Sequence, residues 1–340
     1  FFHQLYGKLN TSSQLGEIVP VTPTDQGTAH KDQMRTWLYH AQKAHPGILD
    51  HKVVSMVSPA IEGHTPSGLP YGSTSGHIYK NMPGIVRRAY SIPYEVFEIE
   101  DYQAKYYTIM RISLEHDVHF MATANPSSIL QLMDKANAYS EELIRDIRDG
   151  TLSPDQHMDA GIRQAVEKRL KANAERARRL EQMRSRRDGM LVPGDYWPDL
   201  GLIGCWKGGT VGHYLEKFDQ WFNPDGTRPV PVRDWGYLSS EARGSIPLSD
   251  EGSKGVLTVA TNFFEFVAVD DVEAKASLVL ALRALAPLLP EQSAVRADAV
   301  HVVVRTSGER ARSFAKVGDH RRGPLRVHPD VDVPPVGAVA

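Results

Sequence analysis

Short apolar runs alternate with helical patterns along the first two thirds of the chain, and this alternation constrains the fold more than any other feature. The apolar runs predict β-strands within 51–59, 117–125, 200–209 and 255–270, the last holding one or two strands. The segments between them predict helices at 28–45, 101–116 and 210–222. Strands that alternate with helices in this way are typical of a layered α/β fold.

The clearest single element is a predicted helix over residues 126–148. Asn125 is a suitable N-cap, Pro126 suits the first helical position, and the Asp149-Gly150 pair predicts the end of the helix. Apolar side chains recur on one face, at Ile129, Leu132, Met133, Ala136, Leu143 and Ile147. We therefore expect one continuous helix that buries a single face directly after the strand at 117–125.

Residues 154–187 predict a long polar helix that is rich in arginine. Two interpretations are open, namely a helix that binds RNA and a solvated helix with one apolar edge. Aromatic side chains that would stack on bases do not alternate with the basic residues there, which favours the solvated helix. The formal net charge of −2 also argues against bulk binding of nucleic acid.

Bulk features predict a protein of the cytoplasm. No apolar stretch reaches the roughly 20 residues that a membrane span needs, so we expect no membrane partner. The single cysteine, Cys205, excludes an internal disulfide and favours a reducing compartment. The chain opens on Phe1 rather than methionine, which predicts a truncated sequence.

Composition changes abruptly near residue 273. From Glu273 to Ala340 the sequence contains no Ile, Asn, Tyr, Trp, Met or Cys. Two explanations stay open, namely a coding sequence read in the wrong frame and a genuine Pro/Ala/Val-rich linker. We therefore predict one folded domain over residues 1–272 and an atypical, disordered or loosely attached tail over 273–340.

The stretch DWGYLSSE, residues 234–241, places an aromatic ring, two hydroxyls and a carboxylate directly after a predicted strand. One interpretation is a turn in which Ser239 or Ser240 caps a helix that begins with Glu241. The other is a nucleotide site. Tyr237 would then stack on a base, the serines would donate to phosphate or acyl oxygens, and Glu241 would ligate Mg²⁺.

Five segments in order resemble the auxin-responsive-promoter family of acyl acid amido synthetases, and its bacterial branch in particular. These segments are 18–24, 124–152, 205–218, 236–241 and 263–271, and the resemblance covers roughly residues 5–273. The family belongs to the acyl-adenylate-forming superfamily, which includes firefly luciferase. The resemblance implies a truncated large N-terminal domain of that α/β fold, with mixed sheets and packed helices. It also implies an ATP- and Mg²⁺-dependent ligase that joins a small carboxylic acid to an amino acid through an acyl-adenylate.

The resemblance also implies roles for individual residues. It assigns Ser240 and Glu241 to catalysis, with Glu241 as the Mg²⁺ ligand. ATP contacts are implied for Thr11, Ser12, Ser13, Gly16, Gly208, Gly209, Thr210, Tyr237, Ser239 and Ser240. Contacts with the acyl acid are implied for Ser127, Ser128 and Met133. A structural role for 207–210, as a strand-to-helix turn capped by Thr210, is compatible with these assignments.

The sequence departs from the family pattern in two places. Gln14 and Leu15 stand where the phosphate loop has small hydroxyl residues, and the lysine that ends this loop is missing. The third adenylation motif that the resemblance places after 263–266 has no match in the sequence, and we expect the C-terminal domain to be absent as well. We therefore expect an impaired ligase, with a non-catalytic binding or interaction protein on the same scaffold as the alternative.

Two further patterns predict no site of their own. The segment YGSTSGHIYK, residues 71–80, imitates a phosphate loop, but no apolar strand precedes it, so we expect a loop at the rim of the site. In HDVH, residues 116–119, a strand would send His116 and His119 to opposite faces, which argues against a shared metal.

Overall fold

The computed structural model of the chain describes residues 30–238 and 243–259. Outside these ranges it describes only six short strands, at 8–11, 18–21, 263–268, 280–281, 300–305 and 314–317. The chain divides into two compact units. One comprises Phe1–Ser240 and Ile246–Val256, and the other comprises Glu241–Ser245 and Leu257–Ala340.

Strands and helices alternate along the first unit, as the sequence predicts. Its strands are β1 (Lys8–Thr11), β2 (Ile18–Val21), β3 (Lys52–Ser55), β4 (Gly63–His64), β5 (Pro70–Gly72), β6 (Val118–Ala122), β7 (Leu202–Gly204) and β8 (Val232–Arg233). Its α-helices are α1 (His30–Ala44), α2 (Thr74–Lys80), α3 (Gly84–Arg87), α4 (Tyr102–Ser113), α5 (Pro126–Ala138), α6 (Ser140–Asp149), α7 (Ala160–Glu167), α8 (Ala174–Arg186), α9 (Pro193–Tyr196) and α10 (Asp219–Phe222). Two 3₁₀-helices span Tyr94–Glu98 and Gly209–Lys217.

The strands of the first unit form two four-stranded sheets. One has the order β3-β6-β7-β8, and all of its strand pairs are parallel. The other has the order β2-β1-β5-β4, in which β1 and β5 are parallel and the remaining pairs antiparallel. The mixture of parallel and antiparallel pairs agrees with the predicted mixed α/β fold.

The parallel sheet is buried on both faces. On one face Val53, Phe120 and Leu202 pack with Trp37 of α1. The neighbouring residues Val54, Met121 and Ile203 belong to the larger core formed with α4 and α5. Successive strand residues point to opposite faces, so each strand supplies both cores, as is usual for a parallel sheet covered by helices.

The predicted start of the helix at 126 is confirmed, but the prediction of one helix over 126–148 is wrong. The Asn125 side chain accepts a hydrogen bond from the Ser127 amide, and Pro126 takes the first position. The helix breaks at Tyr139, whose hydroxyl donates to the Gln103 side chain at 2.6 Å. The backbone leaves the helical conformation at Tyr139, at φ −115° and ψ 25°, although the sequence pattern would allow a continuous helix. Gly150, at φ +73°, ends α6 in the left-handed conformation, as expected.

The predicted helix over 154–187 is also two helices. Asp159 caps α7 by accepting hydrogen bonds from two amides. Asn173 caps α8 by accepting a hydrogen bond from the Arg176 amide at 3.0 Å, and its own amide donates to the Ile147 carbonyl. These two polar caps start new helices where the charge pattern predicts a single one.

Several arginines of this polar region bond to the protein itself. Arg176 donates to the Leu114 and Tyr196 carbonyls at 2.6 and 2.9 Å. Just after α8, Arg187 forms ion pairs with Asp195 and Asp225. These guanidinium groups fix α8 and the turn that follows it against the rest of the unit.

Two short strands, β9 (Ser245–Ile246) and β10 (Val256–Leu257), form a separate two-stranded sheet. The second unit contains β11 (Phe263–Ala268), β12 (Leu280–Ala281), β13 (Val300–Arg305) and β14 (Phe314–Val317). They form an antiparallel sheet of order β12-β11-β13-β14. The division into 1–272 and a tail at 273–340 stays a prediction, because most of that tail lies outside the described residues. Within the part of the chain that the structure describes, no helix is long and apolar enough to cross a bilayer.

Candidate functional site

Three loops lie side by side at the carboxyl edge of the parallel sheet, where β6, β7 and β8 end. The Trp206 amide donates to the Ala124 carbonyl at 2.9 Å, which joins the loops after β6 and β7. The Cys205 amide donates to the Arg233 carbonyl at 3.2 Å, which joins the loop after β7 to β8. In open α/β sheets ligands bind outside the carboxyl ends of the strands, so this edge is the candidate site.

One buried carboxylate, that of Asp234, ties two of these loops together. It accepts hydrogen bonds from the amides of Lys207 at 2.5 Å and Gly236 at 2.6 Å, and also from the amide of Gly208. Burial raises the pKa of Asp234 above its usual value, while the three amides act in the opposite direction. Asp234 is a positioning residue that fixes the backbone of both loops, a role that was not predicted from the sequence.

The ammonium group of Lys207 is directed into the protein. Its Nζ donates to the Val232 carbonyl at 2.9 Å and to the Asp250 carbonyl. The Asp250 carboxylate in turn binds Arg233 Nε and His45 Nε2, each at 2.6 Å. Carbonyl and carboxylate groups of the scaffold therefore bind the Lys207 ammonium and the Arg233 guanidinium beneath this edge.

An aromatic layer supports the loops from below. The rings of Trp37 and Trp235 lie 4.3 Å apart between centroids. Trp37 Nε1 donates to the Asp234 carbonyl and Trp235 Nε1 to the Thr123 carbonyl, each at 2.9 Å. A Cβ at Gly204 would lie 2.7 Å from the Trp235 ring, so only glycine lets the indole lie this close to β7.

The segment 207–210 is a turn that leads into a 3₁₀-helix. Gly208 occupies the N-cap position without a side-chain cap, so the expected capping role of Thr210 is wrong. Gly209 has φ +66° and is exposed, as is Thr210. The helix predicted at 210–222 is instead the 3₁₀-helix Gly209–Lys217 followed by α10. A Cβ at Gly212 would lie 2.7 Å from the Lys207 carbonyl, which shows how tightly this turn is wound.

A family comparison identifies the scaffold. The model of the "GH3 family N-terminal domain" matches residues 11–226, more than half of the chain. The chain belongs to the GH3 family. No curated protein gave a significant sequence match.

Solved structures of GH3 proteins have the same fold. A structure of the GH3.15 acyl acid amido synthetase superposes with a TM-score of 0.72 at 21% sequence identity, over 92% of this chain and 53% of that one. A structure of the AtGH3.15 acyl acid amido synthetase in complex with 2,4-DB gives a TM-score of 0.71 at 20% identity, with the same coverage. The chain thus spans about half the length of these GH3 structures. The predicted α/β fold class, that of a GH3 N-terminal domain with mixed sheets and packed helices, is confirmed, whereas the bacterial branch and the acyl-adenylate chemistry stay predictions.

Only some of the residues that are predicted to bind ATP lie in the described part of this GH3 chain. Tyr237 is half-buried and directly follows Gly236. Gly236 has φ +83°, and its amide donates to the Asp234 carboxylate. Tyr237 lies on the loop that Asp234 joins to Gly208. Ser239, Ser240 and Glu241 lie outside the described residues.

The predicted phosphate loop lies largely outside the described residues as well. Thr11 is the last residue of β1, and the preceding Asn10 pairs with Gly72 of β5. Ser12, Ser13 and Gly16 lie outside the described part of the chain. Their roles stay predictions.

The three residues predicted to contact the acyl acid occupy different environments. Ser127 and Ser128 are half-buried in the first turn of α5, at the carboxyl edge. The Ser127 hydroxyl donates to Asn125, and the Ser128 hydroxyl bonds the phenol of Tyr106. Met133 is fully buried in the core. Its role in binding stays a prediction.

Residues 71–80 form a strand–turn–helix unit, so the expected rim loop is wrong. Strand β5 leads into α2, and Ser73 caps this helix by accepting a hydrogen bond from the Gly76 amide at 2.9 Å. The Ser73 hydroxyl donates to the Ser58 carbonyl, three residues beyond β3. A Cβ at Gly76 would lie 2.3 Å from the same carbonyl oxygen. The short apolar strand and the close approach of two backbones are not visible in the local sequence.

Proposed function

We propose that this GH3 chain is an ATP-dependent acyl acid–amino acid ligase with reduced turnover. The observation that carries the proposal is the set of hydrogen bonds by which Asp234 holds the 207–208 turn and the 236–237 loop together. These are the two segments predicted to hold adenine. Membership of the GH3 family supports this chemistry.

The reaction has two steps. In the first, the carboxylate oxygen of the acyl acid attacks the α-phosphorus of ATP, and pyrophosphate leaves. In the second, the amine nitrogen of an amino acid attacks the carbonyl carbon of the acyl-adenylate, and AMP leaves as the amide forms. The protein's part is to orient the reactants and stabilise developing charge.

Individual residues have defined parts in this proposal. Nothing lies within 4 Å of the place that a Cβ of Gly209 would take, so a nucleotide base can approach the backbone there. At Gly208 the corresponding space is filled by the Ser253 side chain, so this glycine would contribute through its backbone only. Tyr237 would stack on that base. Glu241 and Ser240 would act at the phosphates, with Glu241 as the ligand of Mg²⁺, which would offset the negative charge there. Asp234 is unsuited to that role because its oxygens accept three backbone amides.

A non-catalytic nucleotide-binding protein is the second candidate. The Lys207 ammonium bonds two carbonyls of the scaffold, and the segment 11–16 contains no lysine. A phosphate loop without its cation retains only backbone contacts to the phosphates. This arrangement favours ATP binding with slow or absent transfer.

Calorimetric titration of ATP in the presence of Mg²⁺ tests the binding part. Tyr237→Ala should weaken ATP binding by about 5- to 150-fold, because stacking on a base contributes about 1–3 kcal/mol. Tyr102→Ala, at an exposed tyrosine of α4, is the matched control and should leave it unchanged. Equal affinities of the two variants would contradict the proposed nucleotide site.

The metal ligand is tested by Glu241→Gln, which should weaken ATP binding only when Mg²⁺ is present. Glu181→Gln on α8 is the control. A Glu241→Gln variant that binds ATP as tightly as the parent with Mg²⁺ would favour the helix-cap interpretation of 239–241.

Turnover separates the two candidate functions. The chain is incubated with ATP, Mg²⁺, a panel of carboxylic acids and mixed amino acids, and pyrophosphate and amide are measured. Slow formation of both products supports the impaired ligase. ATP binding without pyrophosphate release supports the non-catalytic protein. The cytoplasmic location, the carboxylic acid and amino acid as partners, and the domain bounds 1–272 belong to the same proposal.

A further inference from the structure

Two histidines and an aspartate meet at the amino ends of β3 and β6. His51 directly precedes β3, Asp117 directly precedes β6, and His119 is the second residue of β6. Strand residues two apart lie on the same face, so Asp117 and His119 point the same way. The local sequence pairs His119 with His116, whereas the parallel pairing of β3 and β6 brings His119 together with His51 and Asp117.

The spacing of the ligand atoms suits a small divalent ion. His51 Nδ1 and His119 Nε2 each lie 3.2 Å from the same oxygen, Oδ2 of Asp117. One potential ligand atom from each residue lies within 4.8 Å of the other two. A tetrahedral zinc site with bonds of about 2.0–2.1 Å has ligand atoms about 3.3–3.4 Å apart. Because the His51 side chain is 52% exposed, it can move to complete this geometry.

A backbone carbonyl already orients one of the histidines. His119 Nδ1 lies 3.1 Å from the carbonyl oxygen of Gly47, which can only accept, so Nδ1 carries the proton. In the neutral ring Nε2 then presents a lone pair to Asp117 Oδ2, which is also an acceptor. A cation that both atoms bind removes this conflict. Histidine ligands of metals usually donate their other ring N–H to a group of this kind.

Neighbouring cations are engaged elsewhere. Arg176 approaches Asp117 from α8, but it donates hydrogen bonds to the carbonyls of Leu114 and Tyr196. Lys52, next to His51, donates to the Arg88 carbonyl at 2.5 Å. The hydrogen bonds of these two side chains are therefore directed to carbonyls, and Asp117 receives its contacts from the two imidazoles.

We propose that His51, Asp117 and His119 bind a divalent transition-metal ion of the Zn²⁺ class, with water completing the coordination. Two imidazole nitrogens and one carboxylate oxygen are a donor set that Zn²⁺ accepts and Mg²⁺ does not favour. The ion links the amino ends of β3 and β6. This site lies at the opposite end of these strands from the candidate ATP site, so it is independent of the proposed function.

Calorimetric titration of the full chain with Zn²⁺ tests the site, after chelator treatment and desalting. The pH is held above the ordinary imidazole pKa of about 6.5, with excess Mg²⁺ present. The parent should bind about one equivalent at this site, and His119→Gln and Asp117→Asn should each weaken binding at least about tenfold. His157→Gln, at an exposed histidine of the loop before α7, is the matched control and should bind Zn²⁺ like the parent.

Two additional measurements keep the result clear. Circular dichroism establishes that each variant is folded. The absorption spectrum of the parent with Co²⁺ should show the bands of a tetrahedral nitrogen–oxygen site, and one equivalent of Zn²⁺ should remove them. Equal Zn²⁺ affinity of folded His119→Gln and the parent, or a parent without saturable binding, would overturn the proposal.

Discussion

Replacement of Asp234 by asparagine tests whether one buried carboxylate holds the candidate site together. Its two oxygens accept the Lys207 amide at 2.5 Å and the Gly236 amide at 2.6 Å. Asparagine has nearly the same shape but presents an NH₂ group in place of one oxygen. One backbone amide therefore loses its acceptor and faces another donor.

The size of the effect follows from two opposing contributions. A buried donor left without an acceptor costs about 1–3 kcal/mol. The substitution also removes a buried negative charge, whose unfavourable burial raises the pKa of Asp234. We expect the free energy of unfolding to fall by about 1–2 kcal/mol, which is a factor of about 5–30 in the folding equilibrium.

Urea unfolding followed by tryptophan fluorescence measures this loss, because Trp37 and Trp235 pack beneath the loops. The matched control is Asp134→Asn, at an exposed position of α5. Asp234→Asn should unfold at a lower urea concentration than the parent and the control. The reasoning is refuted if Asp234→Asn and Asp134→Asn unfold at the same concentration.

Three further predictions concern Gly76, Cys205 and the ionisation of Asp234. Gly76→Ala places a Cβ 2.3 Å from the Ser58 carbonyl and should lower the melting temperature, at a cost of about 1–3 kcal/mol; Gly84→Ala points into open space and should melt like the parent. Burial raises the pKa of Cys205, the single thiol, to about 12, so a thiol reagent should label it only after denaturant unfolds the chain; rapid labelling of the native protein would contradict this. The pKa of Asp234 in the native protein is raised above its value of about 3.9 in the unfolded chain. The native protein therefore takes up a proton at a higher pH than the unfolded chain does. Asp234 consequently stabilises the native protein more as the pH falls through the raised pKa. The difference in unfolding free energy between the parent and Asp234→Asn should therefore widen as the pH is lowered through the raised pKa. A difference that stays constant or narrows in urea unfolding would contradict a raised pKa of Asp234.

Local signals in the sequence predicted the elements that depend on local chemistry. Asn125 and Pro126 start a helix at the expected position, and Gly150 ends α6 with a positive φ. The break at Tyr139 was not predictable in this way. No glycine or proline marks it within 127–148, and the Tyr139 side chain makes its hydrogen bond to Gln103 on another helix.

The candidate site was predictable only in its motifs. The turn at 207–209 and Tyr237 stand out in the sequence because of their glycines and neighbouring hydroxyl residues. Asp234 acts on the amide of Lys207, which belongs to another loop, so its role emerges only when β7 and β8 pair. The available signal was its place directly after a buried parallel strand, where polar side chains often serve a site.

The hydrogen bonds beneath the carboxyl edge also set an order of events during protein synthesis. The Trp37 indole binds the carbonyl of Asp234, which is made 197 residues later, and Thr123 precedes its partner Trp235 by 112 residues. A ribosome that adds about 5–20 residues per second makes Trp37 about 10–40 s before its partner. From the completion of β6 until Trp235 is made, the apolar face of β3 and β6 has the Trp37 ring but lacks the Trp235 ring that packs beside it. Until Trp235 is made, the nascent chain therefore exposes an apolar sheet face that a chaperone can bind. This face lies beside the carboxyl edge at which the finished protein has its candidate site.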